Sequence, residues 1–257
     1  MNFQDTQLIG VLARAESTVS SLSNLLGGLV EKFAARGYSL YLVGGSVRDA
    51  LLGRLGNDLD FTTPARPDVV KEILDEWAET VWDTGIDFGT VSAAYKGQQI
   101  EITTFRSDSY DGQSRNPEVV YGDTLEGDLV RRDFKANAMA IELLADASFK
   151  FHDPLHGLQD IADRVLDTPD KPEISFHDDP LRMLRAARFA SQLEFRVADR
   201  VVEAMRDMAG EIQRITVERV QVELDKLICG TAPWDGIDLL VSTGIADYIF
   251  PEIPALR

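Results

Sequence analysis

Apolar residues recur at intervals of three and four at Leu22, Leu25, Leu26, Leu29, Val30 and Phe33. The spacing predicts a helix with one buried stripe that stops at Gly37. Residues before about 20 show weaker periodicity and read as an N-terminal extension or a loosely attached helix. The period then changes. Ser39 to Val43 reads as a buried strand broken by Gly44-Gly45, Ser46 to Leu52 as a short helix stopped by Gly53, and Asp58 to Thr62 as a second strand. Pro67 opens a helix through Ala78. Segments 80–83, 91–95 and 98–104 read as strands, the last two joined in a hairpin at Lys96-Gly97. Ser107 to Pro117, SDSYDGQSRNP, is polar and turn-rich and reads as an exposed loop, a candidate mobile element. A helix is predicted over Leu129 to Ala140 and a strand over Ala147 to Phe151. From Pro180 onward the pattern is almost wholly helical, with helices at 180–193, 197–209, 216–228 and 235–243. The fold class is therefore α+β: a strand-rich unit with a few helices on one face, then an all-helical unit beginning near Lys171 to Ser175.

Composition narrows the class. Of 257 residues, 44% are apolar, enough for a proper core. No apolar run approaches the roughly 20 residues that cross a bilayer. The opening MNFQDTQLIG has neither the basic start nor the apolar stretch of a signal peptide, so a cytoplasmic location is expected. Cys229 is the one cysteine, which excludes an internal disulfide framework and a multi-cysteine zinc site. The formal net charge of −17 argues against a broad nucleic-acid-binding face. Arginine nevertheless supplies 19 of the 26 cations, and several arginines fall at helical spacings.

Four segments carry candidate chemistry. Tyr41 to Asp49, YLVGGSVRD, runs from a strand through a double glycine into a helix. Glycines let a ligand approach the backbone, and the N–H groups of a helix start attract anions. Arg48 adds a charged donor for phosphate. The same segment also fits a tight turn carrying a surface arginine. In Asp58-Leu59-Asp60-Phe61, period two puts both carboxylates on one strand face and the apolar pair on the other. Two carboxylates so placed suit a hard divalent cation that takes its other ligands from phosphate, and equally a solvated edge strand. Glu101, in the strand 99–104, is a possible third carboxylate of a two-metal site or an ordinary exposed polar position. In Arg131-Arg132-Asp133-Phe134-Lys135-Ala136-Asn137, a helix would put Asp133 and Asn137 on one face, either to grip a sugar hydroxyl while Arg132 reaches phosphate or as part of a salt-bridged solvent face. Lastly, Asp179, Arg182, Arg185 and Arg188 step by three. An acceptor-only Asp179 beside a donor-only Arg182 would offer a base edge a fixed pattern, with Arg185 and Arg188 directed at phosphates. Asp179 before Pro180 is also a good helix N-cap.

These segments, in this order, resemble the class II tRNA nucleotidyltransferase (CCA-adding) and bacterial poly(A) polymerase family. The matching text is LVGGSVRDALLG, NDLDF, RRDFKANAMA, HDPLHGLQD, DDPLRMLRAARF and VERVQVELDKL, spread over about residues 38–228. The resemblance implies a DNA polymerase β-like nucleotidyltransferase head with a mixed β-sheet over 38–172, a helical, nucleotide-recognising neck over 173–257, and a helical extension over 1–37. It implies catalytic magnesium, two ions, at Asp58 and Asp60. Nucleotide contacts are implied for Gly45, Arg48, Arg132, Arg185 and Arg188, ribose sensing for Asp133 or Asn137, and base-edge pairing with ATP and CTP for Asp179 and Arg182. Glu218 and Arg219 match a helix-stabilising motif, and Ser107 to Pro117 coincides with the family's flexible loop. The implied reaction is CCA addition from CTP and ATP to the tRNA 3′ end. Poly(A) synthesis, CC-only or A-only addition, and a nucleotide-binding module without transfer are the alternatives. The family continues into body and tail domains that hold tRNA, so a chain stopping at Arg257 reads as head and neck, expected by itself to bind tRNA weakly.

Overall fold

A computed structural model of the chain describes residues 3–107 and 120–253. The chain divides into two compact units, Met1–Arg132 with Ala136–Ala162, and Asp133–Lys135 with Asp163–Arg257. Among the described residues, no helix is long and apolar enough to cross a membrane.

The first unit follows the period-two pattern. Its elements are α1 (Phe3–Ala35), β1 (Leu40–Val43), α2 (Gly44–Leu51), β2 (Asp58–Thr63), α3 (Pro67–Asp75), β3 (Thr80–Trp82), β4 (Thr90–Tyr95), β5 (Gln98–Thr104), β6 (Arg106–Ser107), β7 (Val120–Tyr121), α4 (Leu125–Val130), β8 (Ala140–Leu143), β9 (Phe149–His152) and α5 (Gly157–Asp163). Seven strands form one mixed sheet in the order β3-β4-β5-β2-β1-β8-β9, with β2 parallel to β5 and the other neighbours antiparallel. Alternation sends Leu59, Phe61, Ile100, Ile102, Val91 and Ala93 into the core. α2 and α3 pack on the strands, and the stripe Leu22, Leu26, Leu29, Val30 and Phe33 of α1 is buried, with α1 lying on α2 and α3. Lys96 and Gly97, at φ +46° and +77°, close the β4–β5 hairpin with two left-handed residues, the twist such a two-residue loop favours.

One sequence expectation fails here. The predicted helix over 129–140 is instead the end of α4, a short 3-10 turn at Lys135–Asn137 and the strand β8. Side chains compete with the helix ladder at this point. Arg131 and Arg132 reach back to Asp128, and the Asp133 carboxylate accepts the Phe134 N–H at 2.9 Å, a local bond that ends helical propagation. The loop expected from Ser107 to Pro117 lies outside the described residues, except that Ser107 itself pairs with Val120 in the β6–β7 ribbon.

The second unit contains β10 (Val165–Leu166), α6 (Pro172–Asp178), α7 (Leu181–Leu193), β11 (Arg196–Val197), α8 (Asp199–Asp207), α9 (Val217–Ile228), α10 (Pro233–Ser242) and α11 (Ala246–Ile249). The predicted helices at 180–193, 197–209, 216–228 and 235–243 all form, within a few residues at their ends. α7 is the centre, packed by both α9 and α10. Residues 133–135 join this unit through Lys135, whose Nζ bonds Asp167 Oδ2 at 2.7 Å, while Arg200 Nε takes Oδ1 at 2.7 Å. The α10 crossing is too close for a side chain: a Cβ on Gly236 would stand 2.6 Å from the Ala187 carbonyl oxygen and 2.9 Å from Leu227 Cγ. Gly236→Ala should therefore cost about 1–3 kcal/mol by overpacking, read as a fall of roughly 3–10 °C in a thermal melt.

Candidate active site

Asp58 and Asp60 stand on the exposed face of β2, near the middle of the sheet, with Leu59 and Phe61 buried behind them. Glu101 is level with Asp60 on the neighbouring strand. The Asp60 carboxyl is pushed above the usual carboxylate range. Surrounding protein is the largest cause even though the residue presents an edge to solvent, and the charges of Glu101 and Asp58 add to it. Arg132 and Arg48 pull the other way. The Asp58 and Asp60 carboxylates are thus held near like charge with an incomplete set of cations, an arrangement that a hard divalent ion relieves. Among the described residues no group of three or more His, Cys, Asp or Glu side chains is gathered closely enough to hold a metal ion. Such a pair suits magnesium, which commonly takes one or two protein carboxylates and fills its remaining positions with phosphate and water.

The D-x-D backbone is fixed by a residue that the sequence reading passed over. Ser46 Oγ accepts the Asp60 N–H at 3.0 Å and donates to the Asp58 carbonyl at 3.3 Å. Its place just after the double glycine was the available signal. Gly44 opens α2 at φ +67°, and a Cβ there would lie 2.9 Å from Arg132 Nη1 and 3.8 Å from Asp60 Oδ2. Glycine is required both by the backbone and by the arginine that crosses it. Gly44→Ala should cost about 1–2 kcal/mol for the left-handed residue and displace Arg132, measurable as reduced denaturant stability. Gly45 is roomier: its Cβ would stand 3.4 Å from Arg48 Nη2.

Arg48 is buried rather than displayed. Its guanidinium bonds both Asp49 oxygens, at 3.0 and 2.9 Å, and Nη1 donates to Asn137 Oδ1 at 2.7 Å. Arg132 is held by Asp128, which accepts from Arg132 Nη2 at 3.0 Å and from Arg131 Nη2 at 2.9 Å. Burial alone would raise the Asp128 pKa, but Arg132 and Arg131 outweigh it and bring it below the usual range. The buried Nε of Arg132 has no hydrogen-bond partner, and Nη1 is the atom that lies over Gly44. Asp128 was legible as the acid four residues before Arg132 on a helix. Asp133 and Asn137 do not share a face: Asn137 serves Arg48, and Asp133 accepts Arg185 Nε at 2.7 Å within the second unit.

In the second unit Asp179 Oδ1 accepts the Leu181 N–H at 3.2 Å at the start of α7, whose N-cap position is Pro180, while its other oxygen takes Arg219 Nη2 at 3.1 Å. Arg182 Nη1 donates to Ser175 Oγ at 2.8 Å. Burial would lower the Arg185 pKa, but Asp133, together with the charges of Glu223 and Asp179, outweighs this and raises it. Arg188 is interior: its Nε lies 3.2 Å from Glu223 Oε2, and its guanidinium sits 4.2 Å from the Phe189 ring centroid. Glu223, buried between Arg188 and Arg185, had no sequence signal beyond its helical register with the apolar Leu227.

A glycine turn feeding α2, a carboxylate pair on the adjacent central strand and a mixed sheet define a DNA polymerase β-like nucleotidyltransferase head. Residues 40–167 match the Poly A polymerase head domain, and 194–256 the probable RNA and SrmB-binding site of polymerase A. The CCA-adding enzyme of Listeria innocua is 40% identical over 222 residues, covering 86% of this chain and 54% of that protein. That of Levilactobacillus brevis is 43% identical over 213 residues, covering 82% and 52%. The crystal structure of the Bacillus stearothermophilus CCA-adding enzyme in complex with CTP superposes with TM-score 0.77 at 35% identity, covering 88% of this chain and 53% of that one. The chain belongs to the CCA-adding enzyme and poly(A) polymerase family. It spans about half the length of the curated relatives it matches.

Proposed function

We propose that this chain carries the catalytic and nucleotide-selecting parts of an enzyme that adds CCA from CTP and ATP to the 3′ end of tRNA. The observation that carries the reading is Asp58 and Asp60 side by side on an open strand face, next to a glycine turn that Arg132 crosses. In the reaction the primer 3′-oxygen forms a bond to the α-phosphorus of the nucleotide, the bond from that phosphorus to the diphosphate oxygen breaks, and the hydroxyl proton is lost to solvent. Asp58 and Asp60 would hold magnesium, two ions, which when bound lowers the pKa of the hydroxyl and neutralises the leaving oxygen. Ser46 keeps the two carboxylates in register by fixing their backbone. Arg132, anchored by Asp128 and with Nη1 over Gly44, would bring its charge to the triphosphate. Arg48 supports the Gly44-Gly45 turn from beneath, through Asp49 and Asn137. Arg185, a third exposed, contributes cationic charge in the second unit.

Base choice falls to Asp179 and Arg182. Cytosine and adenine both present an exocyclic amino donor beside a ring-nitrogen acceptor, whereas uracil and guanine present a carbonyl beside a ring N–H. An acceptor-only carboxylate beside a donor-only guanidinium matches the first pair and opposes the second. One reader for both C and A favours CCA addition over A-only synthesis. The net charge of −17 fits weak tRNA binding by this chain in isolation, and a cytoplasmic location suits a tRNA substrate. Diphosphate release from CTP, measured with and without tRNA lacking its CCA end, tests the reaction. Release should require both the tRNA and a divalent cation, and release independent of tRNA would count against it.

A further inference from the structure

We infer that the open half of the sheet, from β2 out to the edge strand β3, is the platform along which the acceptor RNA strand enters, and that Trp82 stacks on one of its unpaired bases. The inference rests on the reading of Asp58 and Asp60 given above. Register sets four side chains of one face in a row across four strands: Trp82 is opposite Ser92, Ser92 opposite Glu101, and Glu101 level with Asp60. Thr80, Ala94, Gln99 and Asp58 form the next row on that face in the same way. None of these residues is buried. The opposite face carries Leu59, Phe61, Val91, Ala93, Ile100 and Ile102, all buried, and α3 packs on β3, β4 and β5. A sheet packed on one face spends its apolar residues there and alternates to polar ones on the other. Trp82 departs from that pattern, an indole 43% exposed on the polar face of an edge strand.

In an in-line displacement the attacking and leaving oxygens lie on opposite sides of the α-phosphorus. The diphosphate end belongs to the Gly44-Gly45 turn and Arg132, on the β1 side of Asp60. The attacking 3′-oxygen therefore arrives from the β5 side, and the nucleotides behind it lie over β5, β4 and β3. Trp82 is three strands from Asp60, about 14 Å at the usual spacing of ~4.8 Å between strands. That is about four nucleotides at the ~3.4 Å of a stacked strand, and fewer in an extended one, so the indole meets a base close to the 3′ end. Stacking on an aromatic ring is tolerant of sequence and needs no cation. It suits a face where Asp58, Asp60 and Glu101 repel a phosphate backbone, and where Asp83, next to Trp82, is faced by Lys71 at 3.9 Å.

The test is titration of the full chain into an RNA hairpin whose 3′ end is an unpaired 2-aminopurine followed by two cytidines, since the fluorescence of that base falls when it stacks. The wild type should quench the probe. Trp82→Thr, which keeps a good strand former at the edge, should lose the quench and melt near the wild-type temperature. It should bind the RNA about tenfold more weakly, the size expected for losing one base–aromatic stack, with ATP affinity unchanged. Trp82→Phe keeps a ring and should retain most of the quench, and Trp234→Ala, which removes an exposed indole from the second unit, should retain all of it. If Trp82→Thr quenches and binds as the wild type does, while the wild type releases diphosphate from ATP only with this RNA, the platform is overturned and the transfer reading stands. If the wild type neither quenches the probe nor releases diphosphate in its presence, the reading of the Asp58 and Asp60 face fails and the platform with it.

Discussion

Asp60→Asn is expected to cut nucleotidyl transfer by about three orders of magnitude or more, because the charge stabilisation organised by a metal-binding carboxylate is worth several kcal/mol. The same change should raise the melting temperature in metal-free buffer at neutral pH. Asp60 sits near Glu101 and Asp58, and its pKa is raised by the protein around it and by those two charges. A carboxyl whose folded pKa is raised favours the folded state while protonated, and that contribution is lost as pH rises through the folded value. At neutral pH the wild-type protein therefore carries an ionised group that the fold disfavours, and the uncharged amide does not. Single-turnover incorporation and a melt in chelator read the two effects separately. An Asp60→Asn protein that was inactive and also less stable would mean the carboxylate serves the fold instead.

The second large effect runs the other way. Asp128 is fully buried and binds Arg131, Arg132 and the Arg106 N–H. Removing one partner of a buried charge cluster costs about 3–5 kcal/mol, so Asp128→Ala should be strongly destabilised in urea, with nucleotide affinity lost alongside through Arg132. The pH dependence has the opposite sign to that of Asp60. Because the folded pKa of Asp128 is lowered, its contribution is present above the ordinary aspartate value of about 4 and is lost as pH falls through the folded value. The stability difference between wild type and Asp128→Asn should therefore shrink in acid.

The parts of this fold that local pattern governs were legible. The stripe in α1, the hairpin at Lys96-Gly97, the helices α7 to α10 and the alternation around Asp58 and Asp60 each follow from spacing and turn chemistry. What spacing cannot show is where long-range polar contacts override it. Residues 129–140 carry a helix-like pattern, yet Asp128, Asp133 and Asn137 each find a better partner in a different place. The result is a turn and a strand. Arginines stepping by three read as one functional series, but partners on other elements divide them: Arg182 bonds Ser175, Arg185 bonds Asp133, and Arg188 is buried against Glu223. The acidic partners Asp49, Asp128 and Glu223 also account for part of a charge that first argued against a nucleic-acid substrate, since each holds arginines in place.

The most direct test of the central claim is to incubate the chain with tRNA lacking its 3′ CCA, all four nucleoside triphosphates and magnesium, and to sequence the new 3′ ends. The account predicts C, C and A in that order and then a stop, with none of it in Asp60→Asn. Runs of A, incorporation of U or G, or unchanged ends with the active tRNA bound would contradict it.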